Sequence, residues 1–296
     1  MKIAITGANS SVGKNLLAQL ASLPDTNIIA GVRSPSAFES LPKAESITPA
    51  VISYDDAGKL ARVLDGADCV IHLAGILIES KHSNYASANV AATETVIAAA
   101  KLSGAKHLIF ISVVGASANS NNAYFRSKGA AEDLVSNSGL ASSIIRTPIL
   151  LGIGSAGSTS LKFAASKEKT KVLGGGHYVM RPLDVDDLNN ALTALATNPA
   201  TGSSTYELVG PEPIAYRDLI KLAAETMGKS VEVGSAPVWL AKAGSAITSI
   251  IKGGGMTPTV IDVITMNENV AKNSDSDLGI TLTPLRETLS KILKEK

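Results

Sequence analysis

The stretch Lys2-Ile-Ala-Ile-Thr-Gly-Ala-Asn-Ser-Ser-Val-Gly-Lys-Asn-Leu-Leu17 decides the fold. Its apolar run from Ile3 to Ile5 suits a buried strand, Gly7 suits a turn closed to side chains, and Leu16, Leu17 and Leu20 recur at helical spacing. Strand, glycine turn and helix in that order let backbone N–H groups and the positive end of a helix approach a diphosphate with no β-carbon in the way. Gly7, Ser10 and Gly13 follow G-x-x-G-x-x-G with serine at the middle position. Glycine spacing alone is equally compatible with a purely structural turn. Its place between a first strand and an amphipathic helix points to a nucleotide site, with Gly7, Asn9, Ser10, Ser11, Val12 and Gly13 as candidate contacts.

Working outward, the 296 residues make one large or two small domains, and 45% apolar against 18% charged content supports a substantial buried core. Formal net charge is +1 with no run of like charges, which argues against a nucleic-acid partner. The single cysteine, Cys69, lies in the apolar run Cys69 to Leu73 and reads as strand packing, so no disulfide forms within the chain. No leader, no apolar stretch of membrane-spanning length, no repeat and no metal-ligand spacing is visible, and the expected location is the cytoplasm.

A second apolar run, Asn27 to Val32, ends in Arg33-Ser34. In a dinucleotide fold the tip of this strand meets the adenosine ribose, where an acid would accept from both hydroxyls of NAD. Here the residues are a guanidinium and a hydroxyl, which suit a 2′-phosphate and favour NADP over NAD. Lys14 could add positive charge nearby. A third strand over Ser46–Ser53 brings Asp55 to the adenine, a helix spans 57–64, and the fourth strand ends in Leu73-Ala74-Gly75, small residues that let backbone lie against the cofactor. A helix over Tyr85–Leu102 carries Asn89 and Thr93 on one face, to tie strands together or orient a ligand. The fifth strand, Lys106 to Ile111, is an almost continuous apolar run closed by Ser112. This alternation of strands and helices predicts an α/β fold, a Rossmann-type doubly wound parallel sheet over residues 1–152. Residues 153–296 are expected to form a smaller substrate-binding region, with some segments returning to the core.

Tyr124 and Lys128 are four apart at the start of a helix and so share a face. A phenol titrates near 10, and an adjacent ammonium would lower that value, making Tyr124 a usable proton carrier at neutral pH. Lys128 is thus expected both to tune Tyr124 and to hold the nicotinamide ribose, with Ser112 completing the catalytic set.

Taken together, Thr6-Gly-Ala-Asn-Ser-Ser-Val-Gly13, His72-Leu-Ala-Gly75, Asn89-Val90, Tyr124-x-x-x-Lys128 and Arg146-Thr-Pro-Ile-Leu-Leu-Gly152 resemble the extended and atypical short-chain dehydrogenase/reductases. Ser112-Val-Val-Gly-Ala116 and Arg181-Pro-Leu-Asp-Val-Asp-Asp187 are closest to the subgroup of the complex I nucleotide-binding accessory subunit. The resemblance covers about residues 1–230. It implies an NAD(P)-dependent oxidoreductase of the epimerase/dehydratase-like type and Thr147 and Pro148 as further cofactor contacts; it leaves association with a membrane surface or a respiratory complex open, with no residue here that supports it. Two positions depart from the pattern. A serine replaces the middle glycine, which atypical members tolerate because a hydroxyl can donate to phosphate. Val113 stands where active members place the hydroxyl that bonds substrate, so either Ser112 or Ser117 substitutes or the chain holds NADP(H) in a structural or redox-sensing role without turnover.

In the carboxy-terminal part, Asp187 is expected to tie strands and loops together, His177 to be a surface loop residue, and 206–209 and 216–227 to form a strand and a helix. Pro237 to Ile251 is apolar and amphipathic, suited to closing a hydrophobic pocket, to packing on a partner or to lying on a membrane surface. The expected partner is a small, hydrophobic substrate, with the chain acting as a monomer or homodimer.

Overall fold

The computed structural model describes residues 1–199, 201–252 and 255–294, apart from the side chains of 248–252. Strands β1 (Lys2–Thr6), β2 (Asn27–Val32), β3 (Ile47–Val51), β4 (Cys69–His72), β5 (His107–Val113) and β6 (Ala141–Thr147) join a late strand, Ser203–Glu207, in one seven-stranded parallel sheet. The order is Ser203–Glu207, β6, β5, β4, β1, β2, β3. Strand order therefore reverses between β1 and β4, and ligands of such sheets bind outside the carboxyl ends of the strands at that point.

Helices α1 (Ser11–Leu20), α2 (Ala57–Val63), α3 (Ala92–Leu102), α4 (Ala123–Ser136), α5 (Ala156–Ala165), α6 (Val185–Thr197), α7 (Tyr216–Thr226), α8 (Val238–Lys252), α9 (Pro258–Ile264) and α10 (Leu285–Leu293) follow in chain order. Successive strand residues point to opposite faces, and both faces are buried. Ile3, Ile5, Ile71 and Ile109 meet Leu16, Leu17, Leu188 and Leu192 of α1 and α6. Ala4, Val70, Leu108 and Phe110 meet Leu60, Val96, Ala131 and Val135 of α2, α3 and α4. Burial on both sides is why these strands read as continuous apolar runs.

A third core gathers Leu161, Leu219, Ile220, Leu289 and Ile292 from α5, α7 and α10. Beside it, Lys169–Leu173 pairs in parallel with Glu232–Ala236. Asp184 caps α6 by accepting from Asp186 N at 2.9 Å, and its carboxylate also takes Thr288 Oγ1 at 2.7 Å and Lys291 Nζ at 2.6 Å. One buried carboxylate thereby fastens α10 to the start of α6.

The sheet bears out the expected doubly wound fold, while two elements differ in detail. The strand expected at 206–209 runs over Ser203–Glu207 at the sheet edge, a polar stretch without an apolar run. Arg146 secures it, donating to Glu207 Oε1 at 3.3 Å while gripping Glu132 of α4 at 2.6 and 3.0 Å. The helix expected from Tyr85 opens with a π-helical turn, Ala86–Ala91, before α3.

Gly129 in α4 marks a close crossing. A β-carbon there would lie 2.1 Å from Ala118 N and 2.2 Å from Ser117 C, both backbone atoms that cannot rotate away. Gly129→Ala is expected to cost about 2–3 kcal/mol and to lower Tm by roughly 5–10 °C. Thermal denaturation followed by circular dichroism checks this, and an unchanged Tm contradicts the crossing.

Candidate functional site

At the end of β1 the chain turns through Gly7, whose φ of +79° favours glycine and whose missing β-carbon would otherwise sit 3.0 Å from Ala74 N. Gly7 N and Ala8 N both donate to Gly31 O at 3.1 Å, tying the turn to β2. Ser10 caps α1, its Oγ accepting from Gly13 N at 3.0 Å. That cap uses the Gly13 amide and leaves the N–H groups of Ser11 and Val12, at the first two helical positions, without helical acceptors. Gly13 itself is buried; a β-carbon there would meet Ala8 O at 2.6 Å, so this glycine serves close packing of helix on turn rather than contact with a ligand.

Above this turn opens a cleft of about 520 Å³ lined by Gly7, Asn9, Ser10, Arg33, Asp55, Leu73, Ala74 and Gly75 among others. Arg33 is exposed at the tip of β2. Asp55 accepts from Ser53 Oγ at 2.6 Å. Tyr54, which the sequence reading passed over, shares this wall, and burial raises its phenol above the ordinary value.

Several expected contacts are not on this surface. Ser34 instead caps the short helix Pro35–Ser40, accepting from Ser36 N at 3.3 Å, and Lys14 lines no part of the cleft. Asn89 is 1% exposed, and its amide is spent on other groups. It accepts from Ile76 N at 2.8 Å and donates to Ile76 O at 3.1 Å and to Ser127 Oγ at 3.0 Å. Asn89 therefore fastens the segment after β4 to α4 and positions the cleft floor without facing the cleft. Thr147 and Pro148 are buried behind β5, and Thr147 Oγ1 donates to Ser112 O at 3.3 Å.

Lys128 is 6% exposed. Its ammonium donates to Ile111 O at 2.7 Å and lies 4.1 Å from the centre of the Phe110 ring. Burial pulls its pKa down to about 7, with Glu132 opposing. The same ammonium lies 3.8 Å from where a Gly75 β-carbon would be, directly behind the cleft floor. The Tyr124 ring sits 5.8 Å from that of Tyr85 and 5.7 Å from that of Phe125. The expectation that Lys128 lowers the Tyr124 pKa is corrected here. Burial raises the Tyr124 phenol and Tyr85 raises it further, because removal of water outweighs any stabilisation of phenolate by an ammonium engaged elsewhere.

Ser112 is 3% exposed, and its Oγ has no hydrogen-bond partner among the described residues. Phe110 packs on the α4 side of the sheet, and residues two apart on a strand share a face. Ser112 thus faces α4 while Val113 faces away. Ser117 is exposed and accepts from Asn119 N at 3.3 Å. Nearby, Thr6 Oγ1 meets His72 Nδ1 at 2.6 Å, His72 Nε2 meets Thr93 Oγ1 at 3.2 Å, and Thr93 donates to Asn89 O at 2.7 Å. With the Thr93 proton so used, His72 carries its own on Nε2. Burial, then Lys128, depresses its pKa to about 3, so it remains neutral.

Of the carboxy-terminal expectations, Asp187 accepts from Thr283 N at 2.7 Å and Thr283 Oγ1 at 2.8 Å, tying segments 96 residues apart. His177 is exposed and meets Arg217 Nη1 at 2.9 Å. On α8, Trp239, Leu240 and Ile247 are exposed, while the side chains of Ile250 and Ile251 lie outside the described residues. Among the described residues no helix is long and apolar enough to cross a membrane.

The NAD(P)H-binding family model matches residues 7–175, more than half of the chain. The chain belongs to the NAD(P)H-binding family. Over 248 residues it is 25% identical to NADH dehydrogenase [ubiquinone] 1 alpha subcomplex subunit 9, mitochondrial, of Arabidopsis thaliana, a match that covers 82% of this chain and 62% of that protein. Over 264 residues it is 25% identical to 4-hydroxy-2-methyl-3-oxo-4-farnesyl-3,4-dihydroquinoline-1-oxide ketoreductase of Stigmatella aurantiaca, covering 82% and 78%. A solved nucleoside-diphosphate-sugar epimerase of Staphylococcus aureus superposes with a TM-score of 0.76 at 18% identity, over 98% of this chain and 100% of that one, which shows a shared fold. The resemblance to extended short-chain dehydrogenase/reductases is thereby borne out.

Two outcomes follow for this NAD(P)H-binding chain. Lys128 in the unfolded chain keeps its proton to about 10.5, whereas in the fold it loses it near 7. Between those values the unfolded state binds more protons, so the stability of the wild type relative to Lys128→Met rises with pH from 7 to 10.5 and is flat below. Urea denaturation at pH 6, 7, 9 and 10 measures this difference, and a pH-independent value contradicts it. Arg33→Ala is expected to weaken NADPH binding by about tenfold or more while leaving NADH within about twofold, read by calorimetry.

Proposed function

We propose that the chain is an NADP(H)-dependent oxidoreductase of the short-chain dehydrogenase/reductase type that interconverts a carbonyl and an alcohol, or a quinone and its reduced form, on a small apolar molecule. The bound nicotinamide supplies or accepts the hydride. Tyr124 would hand its phenolic proton to the carbonyl oxygen as the hydride reaches the carbon, and recover it from solvent afterwards. Ser112 would donate to the same oxygen and fix its position. Lys128, directly behind the cleft floor, would hold the nicotinamide ribose. Residues 153–296 would supply the rest of the substrate site.

The observation that carries this reading is the Ser112 hydroxyl, buried and unpartnered on the sheet face toward α4, where Tyr124 and Lys128 lie. A buried hydroxyl left unpaired costs free energy, of order 1–3 kcal/mol, and a substrate oxygen offers it the missing partner. It also supports Ser112 as the substitute for the hydroxyl missing at Val113, since Ser112 lies on the α4 side of the strand. The ketoreductase relative acts, by its name, on a farnesylated ring ketone, which supports an apolar carbonyl substrate. The raised Tyr124 pKa favours a second reading, in which NADP(H) is held without turnover.

A panel of ketones and quinones, with and without prenyl or acyl chains, assayed by NADPH absorbance, separates the two. Oxidation of NADPH that falls about 10²-fold or more in Tyr124→Phe, with NADPH affinity unchanged, supports the enzyme; Ser112→Ala is expected to lower kcat about tenfold, the value of one hydrogen bond. NADPH binding with no substrate-dependent turnover supports the second reading.

A further inference from the structure

We propose that His82 is a phosphate-binding residue of the cofactor cleft, acting from the wall formed by the segment after β4 while Arg33 acts from the tip of β2; this rests on the NAD(P)H site described above. His82 lines that cleft together with Ser83 and Ser87. It stands at the tip of a tight hairpin in which Ser80 N donates to Ser83 O at 2.8 Å, Ser83 N to Ser80 O at 3.3 Å, and His82 N to Ser80 Oγ at 3.3 Å.

The base of the hairpin is fixed from several directions. Tyr85 N donates to Glu79 Oε1 at 2.8 Å and Tyr85 Oη to Leu77 O at 2.7 Å. Gly255 N donates to Glu79 O at 3.0 Å, and Asn89 clamps Ile76. The backbone that carries the imidazole is thus fixed before ligand arrives, which reduces the ordering cost of binding.

The charges in the cleft call for an anion. Among the described residues that line it, Arg33 and His82 are the groups able to carry positive charge, and Asp55 is the only acid. The Asp55 carboxylate already accepts from Ser53 Oγ at 2.6 Å. Neither the Arg33 guanidinium nor the His82 ring has a hydrogen-bond partner among the described residues. Two uncommitted donor groups, accompanied by the hydroxyls of Ser10 and Ser83, suit phosphate oxygens, which accept charge-assisted bonds from both sides.

The phosphate could be the diphosphate or the 2′-phosphate of adenosine, and calorimetry of wild type and His82→Ala with NADPH, NADH and adenosine distinguishes them. An approximately tenfold loss for NADPH alone assigns the 2′-phosphate, and an equal loss for NADPH and NADH with adenosine unaffected assigns the diphosphate. His82→Lys is expected to retain affinity within about threefold in either case. Unchanged affinity of His82→Ala for both dinucleotides overturns the proposal, as does a loss shared by adenosine, which would mark a distorted loop. Absence of dinucleotide binding in the wild type would overturn the cofactor site itself and is recognisable as such. His82 is exposed at a hairpin tip, so its replacement leaves the core intact.

Discussion

A carbonyl oxygen, that of Ala8, lies 2.6 Å from where a β-carbon of residue 13 would be, and the site depends on the absence of that carbon. Only at this separation does α1 start immediately after the turn, with Ser10 closing the Gly13 amide and the Ser11 and Val12 amides left open. The same turn is tied to β2 through Gly31 and pressed against Ala74 at the end of β4. Three strand ends are thereby drawn together where the strand order reverses, and the cleft is the space between them.

Behind the cleft floor, exclusion of water is the dominant force. It lowers the Lys128 pKa to about 7 and that of His72 to about 3 while raising the phenol of Tyr124. The chain compensates by giving most of these groups specific partners: Ile111 O for Lys128, Thr6 and Thr93 for His72. Ser112 stands apart because its hydroxyl receives none among the described residues. A buried hydroxyl left without a partner is costly, and this is the one observation behind the proposal that a ligand oxygen completes it.

Legibility in the sequence follows local chemistry. β1, the Gly7 turn and α1 were readable because a buried parallel strand must be apolar on both faces and because close approach removes the β-carbon at Gly13. Tyr124 and Lys128 were readable as one face from helical spacing alone. What spacing could not convey was environment: four residues of separation says nothing of Phe110 beneath the Lys128 ammonium or of Tyr85 against Tyr124, so the direction of the Tyr124 shift came out reversed. Asn89 was readable as a polar group on an apolar helix, but not that Ile76 and Ser127 consume its amide. The edge strand Ser203–Glu207 lacks an apolar run, since only its backbone and Arg146 hold it, and the Ser80–Ser83 hairpin carries no signal beyond polar loop residues.

The central claim, that a dinucleotide diphosphate rests on the open amides of α1, is tested most directly by a crystal structure of the chain with NADPH. Diphosphate oxygens are expected within hydrogen-bond distance of Ser11 N and Val12 N, with the adenosine end at Arg33 and the nicotinamide end toward Tyr124. A nucleotide bound with its diphosphate away from these amides would contradict it.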